Sequence, residues 1–449
     1  MSTEPELSAV ERRAVEASRF DACYPPTEKL PVVVCNNVPA LGQLAATRFL
    51  EWAQQHPGGV VSLPTGKTPE YFIAAVRRLL ATWEQAETQE RLRDAGLDPS
   101  VRPDMGSLHF VQIDEFYPID PAQENSFFHY VNEFYVKGFG LDPAKGLFMN
   151  CAEIGLANDE RLDEVWPDGR VDLSLRHRHA AGARERRQKD RLGCIDQWCQ
   201  DYEDRVRALG GLGFFLGGIG PDGHVGFNVR GSDHHSTTRL APTNYETQAA
   251  AATDLGGMHI ARNRLVITIG LGTITWNPDC AAIIIAAGAA KAGVVADAVQ
   301  NEPDVRYPAT ALHRLPGARF YVTAGAAGRL AERRLRVLSR TSPVRDEEVD
   351  RALIDLAVAK NKRLIDLTDA DVADDRFARA AVGGRPETRE TLVGRTRDRL
   401  VDNIERGAHP RSGTRCLPAE PHHDDVMLGE LPYVVRHTRD ATNTSHFVT

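Results

Sequence analysis

Short β-branched and apolar runs recur through the first three-quarters of this 449-residue chain, each followed by a segment of helical periodicity, and this alternation constrains the fold most. Residues 31–35 precede an amphipathic stretch at about 40–55, and residues 59–63 precede another at about 69–83. Further strand candidates lie at 108–113, 214–216, 265–269, 282–285 and 319–323. Continuous apolar strands separated by helices predict an α/β fold, Rossmann-like, with a mostly parallel sheet and helices on both faces. Ligands of such sheets bind beyond the carboxyl ends of the strands, where the strand order reverses.

Two regions depart from the pattern. Residues 156–192 are charge-rich and end in a basic run from Arg176 to Arg191 that has no interleaved aromatics, so a solvated insertion is expected rather than a nucleic-acid surface. Residues 341–407 are polar and helical in period, with Val349, Leu353, Leu356 and Ala357 on one face, and are expected to form a connecting segment packed on the main domain. The predicted organisation is an extension at 1–29, a main domain at 30–340, the helical segment at 341–407 and a tail at 408–449. A net charge of −8 gives no general attraction to nucleic acid or anionic membrane, so a phosphate site must be a local device. The seven cysteines are odd in number and lack metal-knuckle or CxxC spacing, which fits reduced thiols in a cytoplasmic protein. The polar N-terminus does not read as a signal peptide, and no apolar run is long enough to span a bilayer.

Three segments that follow predicted strands carry chemistry. Leu63-Pro64-Thr65-Gly66-Lys67-Thr68-Pro69 places small, hydroxyl-bearing residues at a strand–helix junction, where backbone N–H groups converge on an anion. A nucleotide P-loop would need glycine where Val61 stands. Gln112-Ile113-Asp114-Glu115-Phe116 ends a strand with two adjacent carboxylates. Alternation sends them in different directions, so only one can face a ligand as a proton-transfer base; taken alone, an Asp-Glu pair after a strand more often caps a helix or forms ion pairs. In Gly217-Gly218-Ile219-Gly220-Pro221-Asp222-Gly223-His224-Val225-Gly226-Phe227-Asn228, dense glycine permits close backbone approach, and a bend can bring Asp222 and His224 to one site.

Taken together and in this order, these segments resemble the glucosamine-6-phosphate deaminase/isomerase family. Glu124-Asn125-Ser126-Phe127, Gly231-Ser232, Thr237-Thr238-Arg239, Ile269-Gly270-Leu271-Gly272-Thr273 and Ala289-Ala290-Lys291 extend the resemblance to about two-thirds of the chain. It implies that Asp114 moves a proton between C1 and C2 of the sugar. It also implies that His224, assisted by Asp222, opens the ring, and that Thr65, Gly66, Thr68 and Lys291 hold the phosphate. The implied reaction converts a hexosamine phosphate to fructose 6-phosphate and ammonia, with a small sugar phosphate as partner and no metal or organic cofactor. A homo-oligomer is compatible with this reading.

The chain departs from the family pattern at two points. The family's glutamate after the Phe-Asn pair, which orients the histidine, is Val229 here. Its phosphate-clamping arginine is missing around Ala250-Ala251-Ala252-Thr253-Asp254, so Lys67 is expected to supply part of that charge, as a point charge rather than a fork. A non-catalytic sugar-phosphate-binding module and a 6-phosphogluconolactonase-like hydrolase are the alternatives. In the tail, Pro421-His422-His423-Asp424-Asp425 resembles the opening of the zinc-dependent N-acetylglucosaminyl deacetylase family. That resemblance implies zinc ligation by His422 and Asp425 with Asp424 as base. A further ligand would lie well beyond Asp425, so no competent metal site is expected.

Overall fold

The computed structural model describes residues 6–158, 160–252, 255, 257–340, 343–419 and 426–448. The chain divides into two compact units, Met1–Arg333 and Arg334–Thr449. The first is built on ten strands: β1 Val32–Cys35, β2 Val60–Ser62, β3 His109–Val111, β4 Asp114–Tyr117, β5 Gly146–Leu147, β6 Phe214–Gly218, β7 Arg239–Pro242, β8 Leu265–Thr268, β9 Ala281–Ala286 and β10 Arg319–Thr323. Seven of them form one sheet in the order β1-β10-β9-β6-β2-β3-β5, with every neighbouring pair parallel. Side-chain alternation divides this sheet between two cores. Val33, Val61, Phe110, Phe214, Leu216, Ile283 and Tyr321 pack on one face, and Val32, Val60, Val111, Phe215, Ile284 and Phe320 on the other. Burial on both faces is the reason these strands read as unbroken apolar runs.

The strand order has one functional consequence. After β2 the chain runs outward through β3 to β5, and after β6 it continues through β9 and β10 toward the opposite edge, which β1 occupies. Neighbours β2 and β6 therefore send their connections to opposite sides and leave a crevice between their carboxyl ends.

The predicted strand at 108–113 is two strands. Gln112 and Ile113 bend the chain out of the parallel sheet, and β4 joins a separate antiparallel sheet of order β4-β8-β7. The expected strand at 265–269 likewise belongs to this small sheet, since its pairing partners are β4 and β7. The bend is held by the Gln112 side chain, whose Nε2 donates to the Asp114 carbonyl (2.9 Å) while its Oε1 accepts from Met149 N–H (2.9 Å). The Tyr202 hydroxyl donates to the Gln112 carbonyl at 2.8 Å.

The boundaries expected from charge also shift. Helix Ala183–Ala208 takes in most of the basic run, with Gln188, Leu192, Ile195, Cys199, Tyr202 and Val206 buried at helical spacing. Arginines of this region meet carboxylates: Arg178 pairs with Asp172 and Glu185, Arg184 with Asp168, Arg187 with Glu160, and Arg176 with Asp196. Residues 6–29 form part of the first unit. Val10 joins its core, Glu11 accepts from the Tyr321 hydroxyl (2.8 Å), and Glu28 forms a bidentate pair with Arg333 (2.8 and 2.9 Å). Burial raises the Glu28 carboxyl above its ordinary range, with Arg333 opposing that shift.

The second unit has its own core of Val349, Leu353, Leu356, Val372, Ala378, Leu392 and their neighbours, contributed by helices Asp346–Lys360, Asp369–Asp374, Arg376–Gly383 and Arg389–Ala408. The expected connecting segment is thus a helical assembly with a core of its own. The zinc-motif residues His422, Asp424 and Asp425 lie outside the described residues. Among those described, no helix is long and apolar enough to cross a membrane, and no His/Cys/Asp/Glu cluster could hold a metal ion.

Both partners of the Glu28–Arg333 pair are buried, so removing one leaves the other charge desolvated and unpaired. Arg333→Met is expected to destabilise the chain by about 3–5 kcal/mol in urea unfolding. A loss below about 1 kcal/mol would show that residues 6–29 are dispensable to the first unit.

Candidate functional site

The crevice between β2 and β6 opens into a cavity of about 370 Å³. Its lining includes Thr65, Gly66, Lys67 and Thr68 from the loop after β2, Asp114 from the start of β4, His224 from the loop after β6, and Lys291 after β9. Four connections far apart in sequence meet here because β3, β2, β6 and β9 are consecutive neighbours in the sheet.

The 63–69 loop turns at Gly66, where φ of +80° requires glycine, and leads into helix Glu70–Ala81. It is pinned by hydroxyl groups from across the cavity rim: Tyr130 donates to the Gly66 carbonyl (2.9 Å) and Tyr135 to the Pro64 carbonyl. Fixing these carbonyls outward frees the N–H side of the loop for an anion.

The adjacent carboxylates take opposite roles. Asp114 is buried, pairs across β8 with Thr268 and faces the cavity. Glu115 points the other way and accepts hydrogen bonds from Ser126 Oγ (2.7 Å) and from the N–H groups of Phe116 (2.9 Å), Phe127 (3.0 Å) and Phe128 (2.7 Å). It thereby caps helix Phe127–Val131, which carries Phe127 to the cavity wall. Burial pushes the Glu115 carboxyl up to about 7 against the pull of these donors. Burial, and then the neighbouring Glu115 charge, raise Asp114 well above the carboxylate range.

Asp222 does not line the cavity; it stands behind His224. Its Oδ1 lies 2.5 Å from His224 Nδ1, and its Oδ2 accepts from Arg230 N–H (3.0 Å) and Asn244 Nδ2 (2.6 Å). Burial raises its proton affinity, but the His224 contact and these donors outweigh that and hold it well below the ordinary range. An ionised carboxylate can only accept, so Nδ1 carries the imidazole proton. Nε2, which has no hydrogen-bond partner among the described residues, is left for a ligand. The ring stacks on Phe227 at 5.9 Å, and Phe116 and Phe127 complete an aromatic wall.

Lys291 Nζ donates to the Ile219 carbonyl (2.7 Å), and burial lowers its proton affinity while Asp222 opposes that shift. Arg239 braces the loop after β6 through Asn228 Oδ1 (2.9 Å) and Ser232 Oγ (3.3 Å). Lys67 and Lys291 are the only cations lining the cavity among the described residues. Of the stretch expected to lack a clamping arginine, Thr253 and Asp254 lie outside the described residues.

Sequence reasoning missed Asn244 and Thr247. Thr247 lines the cavity with its Oγ1 3.3 Å from His224 Nδ1, and Asn244 caps helix Tyr245–Ala251. An Asn three residues before a Thr is a visible cap signal, but nothing local reveals that the cap also reaches Asp222.

Fold and cavity define a doubly wound α/β protein with a glycine-turned loop at a strand–helix junction, a buried carboxylate and an aspartate-backed imidazole at its switch point. In sequence, glucosamine-6-phosphate deaminase of Bacillus velezensis is 27% identical over 298 residues, 66% of this chain and 98% of that protein. Glucosamine-6-phosphate deaminase 1 of Giardia intestinalis is 24% identical over 281 residues, 63% of this chain and 84% of that protein. A solved monomeric glucosamine-6-phosphate deaminase superposes with a TM-score of 0.50 at 22% identity, covering 66% of this chain and 99% of its own, a likeness of fold. No family model matches the chain. In sequence the chain is similar to proteins named glucosamine-6-phosphate deaminase over about two-thirds of its length.

A Cβ at Gly220 would fall 2.0–2.3 Å from three atoms of the His224 ring. Gly220→Ala must therefore displace the imidazole, and we expect a turnover loss on the order of 100-fold, since misplacement by about 1 Å costs that much. Comparison of kcat with wild type checks this, and an unchanged kcat would show the ring position to be uncritical.

Proposed function

We propose that the first unit converts glucosamine 6-phosphate, or a closely related hexosamine phosphate, to fructose 6-phosphate and ammonia. The observation that carries this reading is that Asp114, His224 and the 64–68 loop line one cavity, in a chain whose relatives bear the name of that reaction.

The 64–68 loop, with Lys67 and Lys291, holds the phosphate; a bound dianion favours the charged form of the buried Lys291 ammonium. His224 opens the ring, its Nε2 taking the proton of the anomeric hydroxyl and returning it to the ring oxygen, while Asp222 keeps Nδ1 protonated. Asp114 then removes the proton from C2 as the C1 oxygen takes one up, which gives an enolamine. It returns that proton to C1 as the nitrogen gives one up. The product is a ketose-level imine, isomeric with the open aldose amine; water adds at C2 and ammonia leaves. The wall of Phe116, Phe127 and Phe227 keeps bulk water from one side of these steps.

A non-catalytic sugar-phosphate-binding module is the second reading, favoured by Val229 and by a cavity whose described cations are lysines rather than a bidentate arginine. Tight binding of the hexosamine phosphate without release of ammonia would select it. The deacetylase-like reading of the tail rests on the 421–425 motif alone.

Asp114→Asn should lower turnover by at least about 100-fold, the usual worth of a positioned base, while inorganic phosphate still binds. Coupled detection of fructose 6-phosphate and ammonia measures this; unchanged kinetics would retire Asp114 as the base. The base must be ionised, and burial raises its pKa. Activity should therefore fall away on acidification at a pH above the ordinary carboxylate range, and a limb near pH 4 would contradict a buried base.

A further inference from the structure

The imidazole of His224 is useful only if its ring plane and its proton are fixed, and the Val229 side chain has no polar atom to help fix them. Asp222 does so through Oδ1, but a carboxylate held at one oxygen can still rotate. Its other oxygen is fixed by two donors, the Arg230 N–H and the Asn244 amide, the latter at 2.6 Å. Asn244 in turn is fixed by its own Oδ1, which accepts from Thr247 N–H at 2.9 Å as the cap of helix Tyr245–Ala251. Thr247, 2% exposed, brings its hydroxyl to the same ring nitrogen of His224. The chain of contacts is closed: Asn244 to Asp222, Asp222 to His224, His224 to Thr247, and Thr247 back to Asn244.

We infer that Asn244 is a positioning residue for the Asp222–His224 pair, latching the start of helix Tyr245–Ala251 onto the catalytic loop and doing from another strand connection what Val229 cannot do from its own. This rests on the deaminase/isomerase reading of the cavity. The amide serves both ends of the latch from two separate atoms: Oδ1 accepts for the cap and Nδ2 donates to Asp222, whereas a hydroxyl would have to do both from one oxygen on a shorter side chain. Aspartate caps a helix as well as asparagine does, but it offers no donor and sets a second carboxylate against Asp222. Serine keeps an acceptor for the cap on a shorter side chain that does not reach as an amide does.

The test uses the full chain with Asn244→Asp and Asn244→Ser, both of which retain a capping acceptor, so the helix start is preserved while the latch is cut. With glucosamine 6-phosphate as substrate, kcat should fall roughly 10- to 100-fold in both variants while KM stays within about threefold, because the phosphate cradle is untouched. Nitrogen-15 NMR of the ligand-free proteins should show His224 protonated at Nδ1 in wild type, with a mixture of tautomers in Asn244→Ser. Wild-type kcat together with an unchanged Nδ1–H signal in Asn244→Ser would overturn the inference and leave Asn244 as a helix cap only. If wild type itself released no ammonia, the deaminase reading would fall. The tautomer comparison would still decide the latch, a mixture in Asn244→Ser supporting it and an unchanged signal overturning it.

Discussion

The reversal of strand order between β2 and β6 is the constraint on which the rest of the site depends. Parallel strands are joined by right-handed crossovers, so a chain that winds outward from β2 and then back from β6 must send those two connections to opposite faces. The gap this leaves cannot be closed by the sheet itself. The 63–69 loop borders it from one side and the 219–228 loop from the other. The bend at Gln112–Ile113 turns Asp114 inward, and the turn after β9 delivers Lys291. Each functional group is thus a consequence of its strand's place in the order 9-6-2-3.

Within the crevice, the balance between burial and hydrogen bonding decides what each acid can do. Asp114 and Glu115 are neighbours in sequence and both are buried, so both are raised. Glu115 is surrounded by donors and serves as a cap, whereas Asp114 has the cavity before it and the Glu115 charge behind it, an arrangement suited to a proton-transfer base. Asp222 is also buried, yet three contacts outweigh desolvation and keep it ionised behind His224. One residue type therefore fills two roles, separated by environment rather than identity.

Charge in the sequence is a poorer guide to boundaries than apolar period. The basic stretch after Arg176 suggests a solvated insertion, but its arginines have carboxylate partners brought in from Glu160 to Asp196, and arginine, glutamate, glutamine and lysine are good helix formers. Leu192 and Gln188 extend the buried stripe of Ile195, Cys199, Tyr202 and Val206 by two turns, and the helix runs on past them to Ala183. Residues 6–29 are drawn into the first unit through the buried Glu28–Arg333 pair, whose partners are 305 residues apart.

The parallel strands other than β5, the helices at Val38–Gln55 and Glu70–Ala81, and the segments bearing Thr65, Asp114 and His224 could be read from the sequence. Apolar runs, helical period and glycine punctuation are local consequences of burial and backbone sterics. The departure of β4 and β8 into a second sheet could not be read, because a strand carries no local mark of its pairing partner. The same holds for which of Asp114 and Glu115 is the cap, for the aromatic wall and for the Asn244 latch. Each of these is a contact between distant segments, and its geometry exists only once the strand order has brought those segments to one rim. The sequence by itself determined which chemical groups stand after which strands. Tertiary structure decided which of them face one another, since direction and distance across a sheet are set by pairing and packing that no short window of residues encodes.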